Sequence, residues 1–146
     1  MRMIARCLAL LAFFLLLPSF AHAQATVAGT VRDSAHGGEV SALELEAYPG
    51  FTEKQIAAID ADARSRFDVI DTLVIHRYGR MLPGEAIVLV AAISKHRREA
   101  LQAVDYLMDR LKTEAPFWKK EVRPEGAEWI EPRTDDHASR AKWDKA

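Results

Sequence analysis

The residues whose types and spacing could do chemistry are two lysines on either side of a proline. Lys112 lies four residues before Pro116, and Lys119 lies three residues after it. Proline lacks the backbone N–H and forces the residue before it towards extended geometry, so a helix must end here. A helix end and a strand start joined by so few residues must lie close together. The spacing therefore predicts that Lys112 and Lys119 converge on one pocket.

The same two lysines also have a plain structural explanation. A cation in the last turn of a helix is favoured by the helix dipole. Most lysines in proteins are simply solvated. From the pattern alone, this alternative to a functional pocket stays open.

A second candidate site lies where the same helix starts. Ser94 is predicted to cap the helix, whose first turn would then hold Lys95, His96, Arg97 and Arg98. Cations are disfavoured at this end, because free N–H groups and the helix dipole already make it positive. The arrangement suggests a bound anion. The alternative is that the arginine reaches solvent or a nearby glutamate.

Hydrophobic periodicity defines two helices that would position these residues. The second helix has apolar residues at steps of three and four, and its predicted buried face consists of Leu101, Val104, Leu107, Met108 and Leu111. In the first helix, Thr52 is the predicted N-cap of a capping box with Gln55, and Phe51 and Ile56 are placed for a hydrophobic staple. The predicted core stripe of that helix is Ile56, Ile59, Ala63 and Phe67.

The remaining segments predict strands. Residues 26–31 and 40–48 are predicted to pair as a hairpin. Residues 69–76 predict a strand, and the continuous apolar run of residues 86–93 predicts a strand buried on both faces. Residues 117–123 and 127–131 flank a turn at Pro124-Glu125-Gly126, which predicts a second hairpin. The order is ββαββαββ, an α+β domain with a largely antiparallel sheet and two main helices.

The two ends of the chain differ from this domain. Residues 1–23 resemble a signal peptide, with Arg2 and Arg6 before an apolar run and an A-x-A pattern ending at Ala23. Residues 24–131 form the predicted domain. Residues 132–146 are polar and charged, and we expect a mobile tail, at most with a frayed helix.

Composition excludes several classes of function. Residues 1–23 contain two arginines and no acidic residue, so the rest of the chain has 18 basic and 21 acidic residues and a formal net charge of −3. Nucleic acid is therefore not the expected partner. Cys7 is the only cysteine, which leaves residues 24–146 without a thiol nucleophile or cysteine metal site. No histidine–carboxylate spacing predicts a metal, and we expect no cofactor.

Four motifs resemble one known family, in one order along residues 25–131. They are VSALELEAYPGFTEK, HRYGRMLPGEAIVLV, SKHRREA and LKTEAPFWKKE. Together they are similar to the large, catalytic subunit of molybdopterin synthase. The resemblance implies the α/β-hammerhead fold of that family and a cytoplasmic sulfurtransferase that makes the molybdopterin dithiolene from cyclic pyranopterin monophosphate.

The resemblance also implies partners. Sulfur would arrive as a thiocarboxylate on the C-terminal Gly-Gly of a small ubiquitin-like subunit, which suits a domain without cysteine. The catalytic subunit would be a homodimer within a heterotetramer.

Site residues follow from matching motifs. The resemblance implies that Lys112 and Lys119 are catalytic, with Lys112 donating a proton and stabilising charge. His96 and Arg97 of the neighbouring subunit would bind the substrate phosphate. The full set of implied substrate-binding residues is Thr30, Val31, Arg32, His96, Arg97, Lys112, Lys119, Lys120 and Glu121.

The signal-peptide-like leader, residues 1–23, supports a different function. A cleaved signal would carry the domain to the periplasm or outside the cell, away from a cytoplasmic substrate and partner. Val27 also stands where the family usually has an aromatic residue, and Ala47 and Phe51 replace the usual His and Met. The alternative is an exported, non-catalytic relative that binds a phosphorylated or pterin-like ligand.

Overall fold

The computed structural model describes residues 22–35 and 38–145. The predicted leader, residues 1–23, lies outside the described residues except at its last two positions. Ala23 already pairs with Ser94, so the predicted boundary after Ala23 falls inside the first strand. Among the described residues, no helix is long and apolar enough to span a membrane.

The predicted order of elements is present, with several short additions. The strands are β1 (Ala23–Thr30), β2 (Ser34–Ala35), β3 (Gly38–Glu39), β4 (Ala42–Ala47), β5 (Val69–His76), β6 (Gly79–Met81), β7 (Ala86–Ser94), β8 (Phe117–Arg123) and β9 (Gly126–Ile130). The helices are α1 (Phe51–Arg66), α2 (Arg97–Glu114) and α3 (Thr134–Ala141), followed by a 3-10 turn at Lys142–Lys145. The α+β class is confirmed.

The first sheet has three antiparallel strands in the order β1-β7-β5. The residues of β7 alternate, so that Val88, Val90 and Ala92 are buried on one face. Helices α1 and α2 pack against that face and close the main core. The opposite face of β7 is only partly covered, so the prediction of a strand buried on both faces is wrong for the single chain.

The second sheet has four antiparallel strands in the order β6-β4-β8-β9. Its smaller core consists of Val31, Leu43, Leu45 and Met81, with Ile87 and Phe117 packed against it. The predicted β8–β9 hairpin is confirmed, and Gly126 adopts a φ of 148° at its turn. Two sheets rather than one therefore meet beside the C-terminal end of α2.

The hairpin predicted between residues 26–31 and 40–48 is wrong. Strand β1 pairs along its length with β7, whereas β4 pairs with β6 and β8. Gly29 permits the β1–β7 approach, because a Cβ there would lie 3.0 Å from Val88 Cγ1. The segment between β1 and β4 instead forms its own short β2–β3 ladder.

The predicted N-cap of α1 is also wrong. The cap is Gly50, in the left-handed region at φ 76°, and its N–H donates to Glu53 Oε2 at 2.6 Å. Thr52 is buried and makes a tertiary contact: its hydroxyl accepts from Tyr48 N at 2.8 Å and donates to Pro116 O at 3.3 Å. The start of α1 is thereby tied to the break before β8. The predicted stripe of Ile56, Ile59, Ala63 and Phe67 faces the core as expected.

Helix α2 largely follows the predicted register. Val104, Leu107 and Leu111 are buried and Met108 packs against them, but Leu101 is 53% exposed. Ala100 and Ala103 fill the core instead. Ser94 is not the cap. The helix is capped by His96, whose N–H donates to Ser94 Oγ at 3.1 Å.

Where the sequence predicts a mobile tail, its described part forms α3 and a 3-10 turn that pack on α2. Helix α3 docks on α2, where Arg140 Nε lies 2.7 Å from Glu114 Oε1. Trp143 packs edge-on against Tyr106 and Phe67, and its indole N–H donates to Asp109 Oδ2 at 2.8 Å. One aromatic side chain therefore anchors a segment whose composition is otherwise typical of disorder.

Replacing Trp143 by Ala is expected to destabilise the whole domain. The change removes a half-buried aromatic side chain and leaves Asp109 without its indole donor, at a cost of about 2–4 kcal/mol. Urea unfolding followed by circular dichroism measures the free energy of unfolding. Trp118→Ala is the matched control, because Trp118 is 64% exposed. Equal losses for both variants would contradict the anchoring role of Trp143.

Candidate active site

A cavity of about 740 Å³ opens where the two sheets and the C-terminal end of α2 meet. Its walls combine apolar side chains of the second core with charged side chains at the rim. The charged lining residues are Arg32, Lys112, Lys119, Glu121, Glu131, Arg133, Asp135 and Asp136. The cavity thus has an apolar floor and a rim that carries four cations and four carboxylates.

Lys112 lies in the last turn of α2, as its spacing from Pro116 predicts. Its Nζ is 3.2 Å from Asp136 Oδ1, and its side chain is half exposed to the cavity. Asp136 is in the first turn of α3, where its other oxygen accepts from Arg133 N at 3.3 Å. The C-terminal segment therefore supplies the carboxylate partner of Lys112.

Strand β8 carries Phe117, Lys119 and Glu121 on the face that lines the cavity. Successive side chains of a strand point to opposite faces, so Lys120 lies on the other side of the sheet. Its Nζ is 2.9 Å from Glu44 Oε2 and 4.8 Å from the centre of the Trp129 ring. The structure thus brings Lys112 and Lys119 to one cavity and leaves Lys120 outside its lining.

Glu121 is a buried carboxylate, 3% exposed, between two cations. Arg123 Nη2 lies 2.9 Å from its Oε2, and Lys119 Nζ lies 3.5 Å from its Oε1. Burial raises the pKa of the Glu121 carboxyl, but the hydrogen bond from Arg123 and the charge of Lys119 outweigh burial and hold the pKa below its ordinary value. Glu121 is therefore a fixed negative charge that orients Lys119.

Thr30, Val31 and Arg32 leave the first sheet at the edge of the cavity and all line it. Val31 is buried, and its backbone is held on both sides: its N–H donates to Glu85 O and its carbonyl accepts from Gly84 N, each at 2.9 Å. Arg32 follows this fixed point and is exposed. The guanidinium can therefore reach a ligand while its backbone stays in place.

His96 and Arg97 are not in this cavity. They lie at the opposite end of α2 from Lys112, and 15 residues of helix between Arg97 and Lys112 span about 22 Å. Within one chain, the two candidate sites stay apart.

Five titratable lining residues are not among the predicted site residues: His76, Glu131, Arg133, Asp135 and Asp136. Arg133 and Asp136 belong to the tail, where the run Thr134-Asp135-Asp136 is a helix-start signal with acidic residues in the first turn. That signal is present in the sequence, but the polar composition of residues 132–146 favours the prediction of a mobile tail. His76 is the last residue of the strand predicted over residues 69–76. Its position in the lining depends on which face of β5 meets the second sheet.

Among residues 22–35 and 38–145, no group of three or more His, Cys, Asp or Glu side chains could hold a metal ion. The chemistry available to the described cavity is that of cations, carboxylates and one histidine. An α+β domain of two main antiparallel sheets, with two lysines lining one ligand-sized cavity, belongs to the class of enzymes with a charged active site.

Comparison with known proteins places this class in one family. The family described as "MoaE protein" matches residues 14–114. The molybdopterin synthase catalytic subunit of Caulobacter vibrioides is 53% identical over 123 residues, covering 84% of this chain and 81% of that protein. The chain therefore belongs to the family of molybdopterin synthase catalytic subunits.

Solved structures agree with this assignment. The molybdopterin biosynthesis MoaE protein from Burkholderia ambifaria superposes with a TM-score of 0.70 at 44% identity, over 97% of this chain and 90% of that one. A complex of subunits 1 and 2 of the molybdopterin-converting factor from Helicobacter pylori gives a TM-score of 0.63 at 19% identity, over 90% of this chain and 84% of that one. The latter likeness is one of fold.

Replacing Glu121 by Gln tests the buried ionic group through its pH dependence. Because the folded pKa of Glu121 lies below its ordinary 4.5, the ionised carboxylate stabilises the fold above that pH, and the contribution is lost as pH falls through the folded value. We expect wild type to be more stable than Glu121→Gln at neutral pH, with a difference that shrinks under acid.

Urea unfolding between about pH 7 and about pH 3 measures this difference. Glu125→Gln is the control, since Glu125 is exposed in the β8–β9 turn. A Glu121→Gln difference that stayed constant across the range would show that the ionised carboxylate is not the stabilising species.

Proposed function

We propose that this chain transfers sulfur to cyclic pyranopterin monophosphate to form the dithiolene of molybdopterin, using the cavity between Lys112 and Lys119. The observation that carries the proposal is the convergence of these two lysines, with Arg32, on one cavity. A substrate phosphate and an incoming thiocarboxylate are both anions. A site that holds them together must offset their mutual repulsion, and fixed cations at the rim provide this.

Lys112 is the proposed proton donor and charge stabiliser during sulfur attack and opening of the cyclic phosphate. It stands at the end of a long helix whose buried face fixes its position, and its ion-pair partner, Asp136, lies on a separate segment. Lys119 is held by buried Glu121 and is the better-fixed cation, suited to binding substrate. General acid catalysis by a positioned side chain typically contributes about 10²–10⁴-fold in rate.

The sulfur donor we propose is the C-terminal thiocarboxylate of a small ubiquitin-like subunit. Residues 24–146 contain no cysteine, so the sulfur must come from another molecule. The cavity of about 740 Å³ can admit an extended glycine tail, because glycine has no side chain. The Helicobacter pylori neighbour was solved as a complex of two subunits, which is consistent with such a partner.

His96 and Arg97 would act on the substrate phosphate from a second copy of the chain. The outer face of the first sheet is apolar, with cross-strand pairs Leu73–Ala91 and Ile75–Leu89, and Leu73 and Ile75 are half exposed. A second copy packed on this face would cover it. Strand β7 runs from this face directly into the segment that carries His96 and Arg97. A homodimer within a heterotetramer is the assembly we propose.

A cytoplasmic location is proposed with the enzyme, because its substrate and sulfur donor would be made there. The identity to catalytic subunits over most of the chain supports the enzyme over an exported binding protein.

Replacing Lys112 by Ala should lower product formation by about 10²–10⁴-fold while leaving the fold intact. Lys112→Arg keeps the charge but cannot readily give up a proton, so it should recover binding of substrate and little of the rate. The assay measures dithiolene product from cyclic pyranopterin monophosphate and the thiocarboxylated small subunit. Lys54→Ala, an exposed lysine of α1, is the control and should retain full activity. An active Lys112→Ala variant would remove Lys112 from the mechanism.

Mixing two inactive variants tests whether Arg97 acts across a dimer. If each site uses Lys112 of one chain and Arg97 of the other, a Lys112→Ala/Arg97→Ala heterodimer has one intact site and one doubly altered site. An equal mixture that exchanges subunits should then regain about one quarter of wild-type activity. If mass spectrometry verifies subunit exchange but no activity is recovered, Arg97 acts in the same site as Lys112 of its own chain or has no part in the mechanism.

A further inference from the structure

His76 is a cavity-lining residue to which neither the lysine chemistry nor the phosphate contacts assign a role. It ends β5, opposite Val88 of β7, on the face of the first sheet that is turned towards the core. The backbone immediately after it is fixed, because Arg77 N donates to Ile87 O at 2.8 Å and the Arg77 side chain donates to Ala86 O at 2.8 Å. The position of the imidazole is therefore set by the fold rather than by solvent.

The imidazole also lies flat on a residue of the other sheet. The rings of His76 and Phe117 stack with centroids 4.1 Å apart and planes inclined by 18°. Phe117 is two residues before Lys119 on the same face of β8, which corresponds to about 7 Å along a strand. A planar aromatic surface thus lies beside the cation that would hold the substrate.

The tautomer of His76 follows from its hydrogen bond. Its Nδ1 is 2.9 Å from Arg77 O, and a carbonyl oxygen only accepts, so Nδ1 carries the hydrogen. In the neutral ring, Nε2 is then an acceptor, and no side chain or backbone group of the described residues donates to it. Removal of the ring from water lowers the pKa of His76 below 6.5, more than the bond to Arg77 O raises it, which favours the neutral form at physiological pH.

We propose that His76 and Phe117 recognise the pterin of the substrate, with Nε2 of His76 accepting a hydrogen bond from a ring N–H. This inference rests on the proposed function and adds a specificity-determining residue to it. The pyrimidinone ring of a reduced pterin is flat and uncharged and carries N–H donors, and the cations of the rim cannot accept from them. Carboxylates also line the cavity, but those of Glu121 and Asp136 are already paired with cations, whereas Nε2 of the neutral imidazole keeps its acceptor lone pair.

The stack with Phe117 could also be purely structural, and the two roles predict different measurements. A structural histidine would affect all ligands of the cavity alike or none of them. A pterin-recognising histidine affects only ligands that carry the pterin. Comparing cyclic pyranopterin monophosphate with inorganic phosphate therefore separates the two roles.

The experiment measures binding of both ligands to the full chain by calorimetry, together with turnover by the wild-type protein. His76→Phe keeps the stacked ring but removes the acceptor, and His76→Gln replaces the acceptor by an amide oxygen. We expect His76→Phe to weaken binding of cyclic pyranopterin monophosphate about tenfold, the loss typical of one hydrogen bond of about 1.4 kcal/mol. Phosphate binding should stay within about twofold, and His76→Gln should recover part of the pterin affinity.

Each other outcome has a distinct meaning. Unchanged affinity of His76→Phe for the pterin ligand, in a protein whose wild type turns over, would overturn the role of His76 and leave the proposed function standing. Equal losses for pterin and phosphate would overturn it as well, in favour of a structural role. A wild type that neither binds nor converts the pterin ligand would refute the proposed function, and the role of His76 with it. If His76→Phe fails to fold, His76→Leu, which also lacks the acceptor, is compared with His76→Gln. A lower pterin affinity for His76→Leu than for His76→Gln, at equal phosphate affinity, supports the acceptor role, and equal pterin affinities overturn it.

Discussion

The end of α2 at Ala115-Pro116 is the constraint on which the site depends. Proline cannot continue the helix, so the chain turns at once into β8, which pairs with β4 on one side and β9 on the other. The buried hydroxyl of Thr52 donates to Pro116 O and ties the turn to the start of α1. Because helix, turn and strand are each held by separate contacts, Lys112 and Lys119 face one cavity.

The charges of this cavity are held by groups of different rigidity. Lys119 is oriented by Glu121, which is buried in the second sheet and is also held by Arg123. Lys112 is paired with Asp136, which belongs to a short helix anchored through Trp143. The first pair belongs to the sheet, whereas the second depends on the docking of the C-terminal segment. Substrate binding would therefore exchange contacts more readily at Lys112 than at Lys119.

Much of this arrangement could be predicted from local sequence. The proline break predicts that both lysines lie at one cavity. The 3.6-residue period of apolar residues predicts both main helices, because a helix that buries one face has apolar residues at that spacing. Strand pairing could not be predicted in the same way: β1 was assigned to a hairpin with β4, yet Gly29 and Val88 bring β1 beside β7. Thr52 and Ser94 had the chemistry of caps, but tertiary hydrogen bonds to Pro116 and Asp68 use their hydroxyls instead. The docking of the tail cannot be predicted from its composition, because it depends on tertiary contacts of Trp143, Arg140 and Lys142.

The most direct test is turnover by the unmodified chain. The protein is mixed with cyclic pyranopterin monophosphate and a small subunit carrying a C-terminal thiocarboxylate, and the dithiolene product is quantified in a single turnover. Formation of that product, with matching loss of the thiocarboxylate, is the predicted result. A folded protein that binds the small subunit and substrate but leaves the thiocarboxylate intact would contradict the assignment of sulfur transfer to this cavity.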